Sequence, residues 1–536
     1  MTFNRRTLLV GMAAAFPLTT MAAMPAHASD KPLYGGTFVA ATSEEPASLF
    51  SNFTTNYGDQ MVAGPIYNRL IELGSDGTYR PDLAERWEIS PDGKVYTFHL
   101  HSGVKWHDGK PFTSADVKFT FEEILPVHHG QGKAVFAAVQ SVETPDDNTV
   151  IVTLKEPSEA FLVFVGLRAR IVAKHVYEGT DVRQNPANAK PIGTGAFKFS
   201  EWQRGSHITL VRNDDYFMKG QPYLDRLIFR IMPDANSRMI ALEAGDIDYV
   251  GANDLPYSGI ARLKRSKDIE VVTAGHEAGS GILQIMFNLE RAPFDNVKVR
   301  KALSMAIDRQ FIVERAGQGL HRASTGPITA DTVTYYDKNL KGYAFDPEAA
   351  GKLLDEAGFP RGANGTRLSF TLLAPREQDQ WFKAAEIVVQ QLKEIGIDAK
   401  LSAADKAAAN ELVYVKRDFD ALINPISSGP TPALGVARQY LSSNIRPVAF
   451  TNAGGYRNPA IDKLFHDADV APDTETRVKL YHEIQNVLVD EAVTLWVFDV
   501  KVHSAFRRDF SNLHNFSAYA PYELGKVWWT KGKEQR

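Results

Sequence analysis

His99, His101 and His107 are the first side chains along the sequence with a type and spacing suited to binding a metal. Alternate residues of a strand face the same way, so His99 and His101 converge if this stretch is extended. No acidic or histidine partner repeats the spacing nearby, so the expectation is no metal site and no cofactor. Asp246 and Asp248 pair two carboxylates that could serve acid–base work, but they follow a helix stopped by Gly245 and read better as part of a turn. Pro191-Ile192-Gly193-Thr194-Gly195-Ala196-Phe197 carries the glycines of a phosphate cradle. No helix start follows it, so it reads as a tight return into a strand. His128-His129 sits among glycines and reads as a solvated loop. No nucleophile elbow, zincin helix or Ser-x-x-Lys motif stands in a convincing setting. An enzyme would therefore have to be a hydrolase with paired carboxylates in a cleft, and the expectation is a protein without catalytic residues.

Composition sets the frame around these residues. The chain has 536 residues, too many for one ordinary core, which predicts two or three domains. Apolar residues make up 44% and charged residues 23%, and the formal net charge is −4, so there is no nucleic-acid footprint. There is no cysteine, which removes disulfides, thiolate metal sites, cysteine nucleophiles and a lipid-acceptor cysteine together. Asn4-Arg5-Arg6-Thr7-Leu8-Leu9 is a twin-arginine pair leading into an apolar run through Met24, and Ala26-His27-Ala28 is a small-x-small cleavage site. Residues 1–28 are thus expected to be a removable export signal, with an ordinary signal that happens to hold two arginines as the other reading. No later run is long enough to span a bilayer. The mature chain, beginning at Ser29, is expected in a Gram-negative periplasm, not anchored to a membrane.

The elements that must position any site centre on Gly281–Arg315. Ile282 to Leu289 is an apolar run interrupted only by Gln284 and Asn288, which suits a strand buried on both faces, with a buried helix segment as the other reading that periodicity leaves open. Pro293 breaks it, and Asp295 or Asn296 caps a helix in which Val299, Leu303, Ala306 and Ile307 form one face. Arg300 and Asp308 fall on adjoining sides of that single helix. Upstream, Gly36–Ala40 reads as a first strand and Gly58–Leu73 as a helix. Tyr96, Phe98 and Leu100 alternate as a strand after the Ser90–Lys94 turn. Thr113 or Ser114 caps a helix whose positive start Asp116 favours. Downstream, Trp381–Ile395 is an amphipathic helix stopped at Gly396, and Phe419–Ile423 is a strand. Asp473–Val489 is a helix capped by Asp473 or Thr474, and Leu495–Phe498 is a strand returning the chain to its first half.

Several of these stretches carry a resemblance. Phe287-Asn288, Pro293-Phe294 and then Val299-Arg300-x-Ala302-Leu303-x-x-Ala306-Ile307-Asp308-Arg309 resemble the signature of the family 5 extracellular solute-binding proteins. Trp106-His107-Asp108-Gly109, the Pro191–Phe197 turn, Asn213–Phe217 and Leu242–Asp248 are similar to further segments of that family. The resemblance implies an α/β, two-lobe periplasmic-binding-protein fold, type II, cluster C, with an extra small domain inserted in the first lobe. The implied boundaries are 29–72 for the first part of lobe I and 73–188 for the extra domain. Residues 189–280 continue lobe I, 281–497 form lobe II, and 498–536 complete lobe I. It also implies a monomeric receptor with a small-molecule ligand, partnered by an inner-membrane ABC permease and ATPase complex. In peptide-binding relatives the loop after the Phe-Asp strand holds a tryptophan and an aspartate, the latter meeting the peptide's ammonium group. Here that region is Asn424-Pro425-Ile426-Ser427-Ser428-Gly429-Pro430-Thr431-Pro432, without either residue. A peptide remains the family expectation, held through an acid elsewhere such as Glu45 or Asp379. A neutral, hydroxyl-rich ligand such as an oligosaccharide, or an opine with a blocked amine, suits the Ser/Thr/Gly loop. The expected ligand contacts are Glu45, Tyr57, Trp381, Ser427, Ser428, Gly429 and Thr431. For Trp381 core packing competes with that reading. Arg291 and Arg438 are expected to brace the lobe rather than bind a carboxylate.

Overall fold

The computed structural model describes residues 32–53, 57–74, 77–251, 254–274, 281–375, 379–513 and 521–530. The expected twin-arginine leader and cleavage site lie outside them. β1 (Thr37–Thr42) opens the described chain, which next builds a separate sheet from β2 (Ala84–Ile89), β3 (Val95–Leu100), β4 (Val139–Asp146) and β5 (Thr149–Leu154). It returns through β6 (Phe197–Gln203), β7 (His207–Arg212), β8 (Arg226–Ile231), β9 (Tyr249–Val250) and β10 (Ile269–Ala274). It then crosses into β11 (Gly281–Phe287), β12 (Arg322–Ala323), β13 (Leu368–Pro375), β14 (Ile397–Ala404), β15 (Ala421–Ser427) and β16 (Thr494–Val500), and comes back in β17 (Val502–Arg507).

These strands form two main sheets and one small one. The first lobe's sheet has the order β10-β17-β9-β1-β8-β7-β6, the second lobe's β12-β16-β11-β15-β13-β14, and the small sheet β2-β3-β5-β4. β11 lies between β15 and β16 and is buried from Ile282 to Phe287, as its unbroken apolar run predicts. Each main sheet has its own apolar core: Phe38, Phe229 and Phe506 in the first, Leu283, Val299 and Val497 in the second. The small sheet has another, built on Tyr96, Phe98 and Val152, the buried face of its alternating strands.

Local chemistry explains most of the element boundaries, and it corrects several expectations. The helix after β11 is not one rod. Val297–Met305 ends at Ala306, and Asp308 caps a second helix, Arg309–Arg315, by accepting from Phe311 N at 3.0 Å. Arg300 and Asp308 therefore do not share a helix. Gly58–Leu73 is likewise not a single helix: Tyr57–Ala63 gives way at Gly64-Pro65, and Ile71–Leu73 is a strand. His129 is not solvated. It is 4% exposed, its ring stands edge-on to Phe164 at 4.8 Å, and Nδ1 accepts from Gln131 N and Gly132 N. Burial pushes its pKa down to about 3. The Pro191–Phe197 glycines are there for close approach: a Cβ on Gly193 would lie 1.8 Å from Ile66 O.

Candidate functional site: the facing edges of two sheets

Strand direction places the site. β1, β8 and β9 are parallel, so Thr42, Ile231 and Val250 end at one edge of the first sheet. β17 runs antiparallel to β9 and β10, so Val502 and Ala274 also lie at that edge. In the second sheet β13, β14 and β15 are parallel and end together at Pro375, Ala404 and Ser427. Gly281 pairs there with Ser427 on one side and with Val500 on the other. The chain passes between the sheets at these two edges, along β10 to β11 and β16 to β17. The carboxyl edges of both sheets consequently face one another across a two-strand joint, where open α/β sheets bind ligands.

Lys501 alone separates β16 from β17. Its backbone is held from both lobes: Lys501 N donates to His321 Nδ1 at 3.2 Å, and Tyr257 Oη donates to Lys501 O at 3.2 Å. The His321 ring stacks on Phe498 at 4.5 Å, and Tyr257 contacts the rings of His321, Trp381 and His503. On the adjoining strand pair β10–β17, His503 Nδ1 meets Thr273 Oγ1 at 3.1 Å. Burial pushes the pKa of both imidazoles down to about 4. His321 must be neutral for its Nδ1 to accept from Lys501.

A pH dependence follows. A histidine whose pKa falls on folding is protonated first in the unfolded chain, so stability is lost as pH drops from about 6.5 towards 4. His107, His129, His321 and His503 all act in this sense. Asp82 and Asp254, raised to about 6 by burial, act oppositely below that value. Asp116, Glu159, Asp469 and Asp499 are also raised by burial and oppose the imidazoles. The histidine contribution is therefore expected as a fall in melting temperature across this window that shrinks when one imidazole is removed. Calorimetry at stepped pH checks this, and His321→Asn should make the slope shallower.

The expected contact residues fall into three groups. Glu45 lies three residues beyond β1, at the first sheet's carboxyl edge. Its carboxylate accepts from Trp202 Nε1 at 2.9 Å and Gly205 N at 3.2 Å, and Arg204 stacks over Trp202 at 3.5 Å while pairing with Glu45 at 3.7 Å. Trp381 opens the helix Asp379–Glu394 after β13, at the edge of the second sheet. It is 3% exposed and packs into that lobe's core, with its ring 5.8 Å from Phe498, yet its Nε1 has no hydrogen-bond partner among the described residues. The side chains of Tyr57 and Asp379 lie outside the described residues.

Ser427, Ser428, Gly429 and Thr431 form the third group, a loop folded tightly on itself. Gly429 N donates to Ser427 Oγ at 3.0 Å, and Thr431 O accepts from Leu434 N and Gly435 N, both at 3.1 Å. Gly429 takes φ +73°, and a Cβ there would lie 2.8 Å from Gly435 Cα. Ser428 and Thr431 are 2% and 1% exposed. Thr431 Oγ1 donates to Glu159 Oε2 at 2.8 Å, a residue of the small-sheet segment. Glu159 and Tyr257 have no local sequence signature. Their hydrogen-bond partners stand far away in the sequence. Arg291 pairs with Asp418 at 2.8 Å, and Arg438 donates to Ala449 O at 2.9 Å, both bracing the second lobe as expected. His99 and His101 each face a glutamate of β2, Glu88 at 3.5 Å and Glu85 at 3.9 Å. Among the described residues no group of three or more His, Asp or Glu side chains is placed to hold a metal.

Two lobes whose strand ends oppose each other across a two-strand joint define a binding protein of the clamshell type. The chain belongs to the bacterial extracellular solute-binding proteins, family 5, whose middle region matches residues 78–446. It is 31% identical over 487 residues to the heme-binding protein A of Haemophilus influenzae, covering 85% of this chain and 86% of that one. Among solved structures it superposes with TM-score 0.81 and 28% identity on the oligopeptide-binding protein AppA of Bacillus subtilis in complex with a nonapeptide, covering 94% and 100%. It superposes with TM-score 0.79 and 27% identity on AgaA of A. tumefaciens R10 in complex with agropinic acid, covering 93% and 100%. Among the described residues no helix is long and apolar enough to cross a membrane.

Proposed function

We propose that this chain is an exported receptor that closes on a small peptide or peptide-like solute and delivers it to an ABC importer. The observation that carries the reading is the opposition of the two carboxyl edges across the Lys501 joint. A ligand in that gap touches both lobes and so favours the closed form by differential affinity. Glu45, Tyr57, Trp381 and the Ser427–Thr431 loop are the proposed contacts. The small-sheet segment is the extra domain, residues 73–188. The working location is the periplasm, after twin-arginine export and cleavage near Ala28, as a monomer facing an inner-membrane permease and ATPase.

An opine or oligosaccharide ligand is the second reading. It is favoured by the loop at Asn424–Pro432, which offers hydroxyls and backbone groups and no carboxylate for an ammonium ion. A thermal-shift series separates the two. A ligand at one hundred times its Kd stabilises by about 2.7 kcal/mol, so one class among di- to pentapeptides, opines and oligosaccharides should raise the melting temperature clearly. Native mass spectrometry of freshly purified protein gives an independent readout of retained ligand. Peptides acting alone support the first reading and opines or sugars acting alone the second. A ligand that emerges hydrolysed overturns both.

A further inference from the structure

The small sheet packs with the first lobe but also touches the second, and these latter contacts converge on two carboxylates. Phe119, Ile124, Val172 and Tyr177, from the segment around the small sheet, share the first lobe's core with Phe38 and Phe229. Asn52 Nδ2 donates to Arg170 O at 2.9 Å, and the Arg170 guanidinium donates to Gly64 O and Tyr67 O. The small sheet therefore travels with the first lobe. Among the described residues the chain passes between the lobes at the two joint strands.

Against that lobe stands the start of the helix Glu159–Leu167. Glu159 reaches outward and accepts from Tyr335 Oη and from Thr431 Oγ1, and Arg477 Nε lies 3.5 Å from its Oε2. Asp469, at the end of the helix Pro459–Asp469, reaches the other way. It accepts from Ser158 Oγ at 2.9 Å and from Ala160 N at 3.0 Å, the exposed amide end of the helix that carries Glu159. Gln131 Nε2 donates to Leu434 O at 3.3 Å, and Leu434 is buried in the small sheet's own core. Each body thus gives one carboxylate to the other. Arg477 stays anchored on its own side through Ala468 O and Ala471 O.

We infer that Glu159 and Asp469 form a reciprocal clasp that is made when the lobes close and that positions the loop after β15. No covalent path runs through these contacts, so a rotation about the joint that parts the two bodies breaks them. Closing the clasp withdraws both carboxylates from water and gives each a set of charge-assisted hydrogen bonds in exchange. Thr431 and Leu434 belong to the same loop as Ser427 and Ser428, so the clasp fixes one wall of the gap from outside it. Glu159 and Asp469 are positioning residues and need no contact with the ligand. The inference rests on the two-lobe hinge and not on the class of ligand.

The full mature chain tests it without ligand. The protein has no cysteine, so Glu156→Cys with His466→Cys places two unique thiols at a second contact between the same bodies, where the native side chains are 3.9 Å apart. A short bis-maleimide then reports how often the two bodies meet. Adding Glu159→Ala should lower the crosslinked fraction several-fold, and Asp469→Asn with Ser158→Ala should do the same. An unchanged fraction in either variant, with a wild-type melting profile, overturns the clasp. If Glu159→Ala does not melt cooperatively, the Asp469 and Ser158 variant alone decides on the same criterion. Because no solute is added, a protein that proved to bind none of the screened ligands would leave this readout intact.

Discussion

Gly435→Ala is expected to destroy tight ligand retention while leaving the protein folded. A Cβ at this position would sit 1.8 Å from Ser428 O and 2.5 Å from Gly429 N. Both neighbours are backbone, so no side chain can swing aside to admit the methyl group. The loop must open, and Ser427, Ser428 and Thr431 leave the places they now hold at the second lobe's edge. Misplacing buried polar contacts costs about 1–3 kcal/mol each, so affinity for the ligand found by screening should fall at least about tenfold. Isothermal titration measures the loss, and circular dichroism checks the fold. Gly130→Ala is the control, since a methyl there meets nothing within 4 Å. Equal affinity in the two variants would show that this loop plays no part in holding ligand.

Arg300→Met should produce the largest loss of stability. The guanidinium is 7% exposed and donates to Phe294 O at 2.8 Å, Asp295 O at 3.3 Å, Glu491 O at 2.7 Å and Ala492 O at 3.0 Å. It ties the turn that follows β11 to the turn that precedes β16, the two joint strands of the second lobe. Methionine fills similar space but leaves these carbonyls without donors, at a cost of roughly 3–5 kcal/mol in all. Lysine should rescue little, because one ammonium cannot span acceptors arranged around a planar fork. Urea denaturation followed by tryptophan fluorescence gives the value, and a loss below about 1 kcal/mol would contradict the bracing role.

How much of this was legible in the sequence depended on the range of the forces involved. The run Ile282 to Leu289 suited a strand buried on both faces, and β11 is one over Gly281–Phe287, with strands flanking it on both sides. Asp473 and Gly245 also acted as read, as a helix cap and a left-handed helix stop at φ 80°. The break between Ala306 and Asp308 was harder, since apolar spacing continues across it and only the aspartate's capping chemistry marks the restart. His129 looked like a loop residue by its glycine neighbours, yet Phe164 covers it from another element. At the candidate site, periodicity placed Trp381 at a helix start and the family resemblance marked the Ser427–Thr431 loop. What closes over that loop depends on Glu159, 272 residues away from Thr431, and no local pattern encodes such a pairing.

One residue between two sheets works as an axle. With β16 ending at Val500 and β17 beginning at Val502, the dihedrals around Lys501 set the shorter of the two crossings between the lobes. A slight twist there is magnified along the length of each sheet, so the rims of the gap travel far while the cores beside the pivot barely shift. Selection on such a molecule can alter what it grips by changing the rims, and alter how readily it lets go by changing the few side chains that lean on the axle.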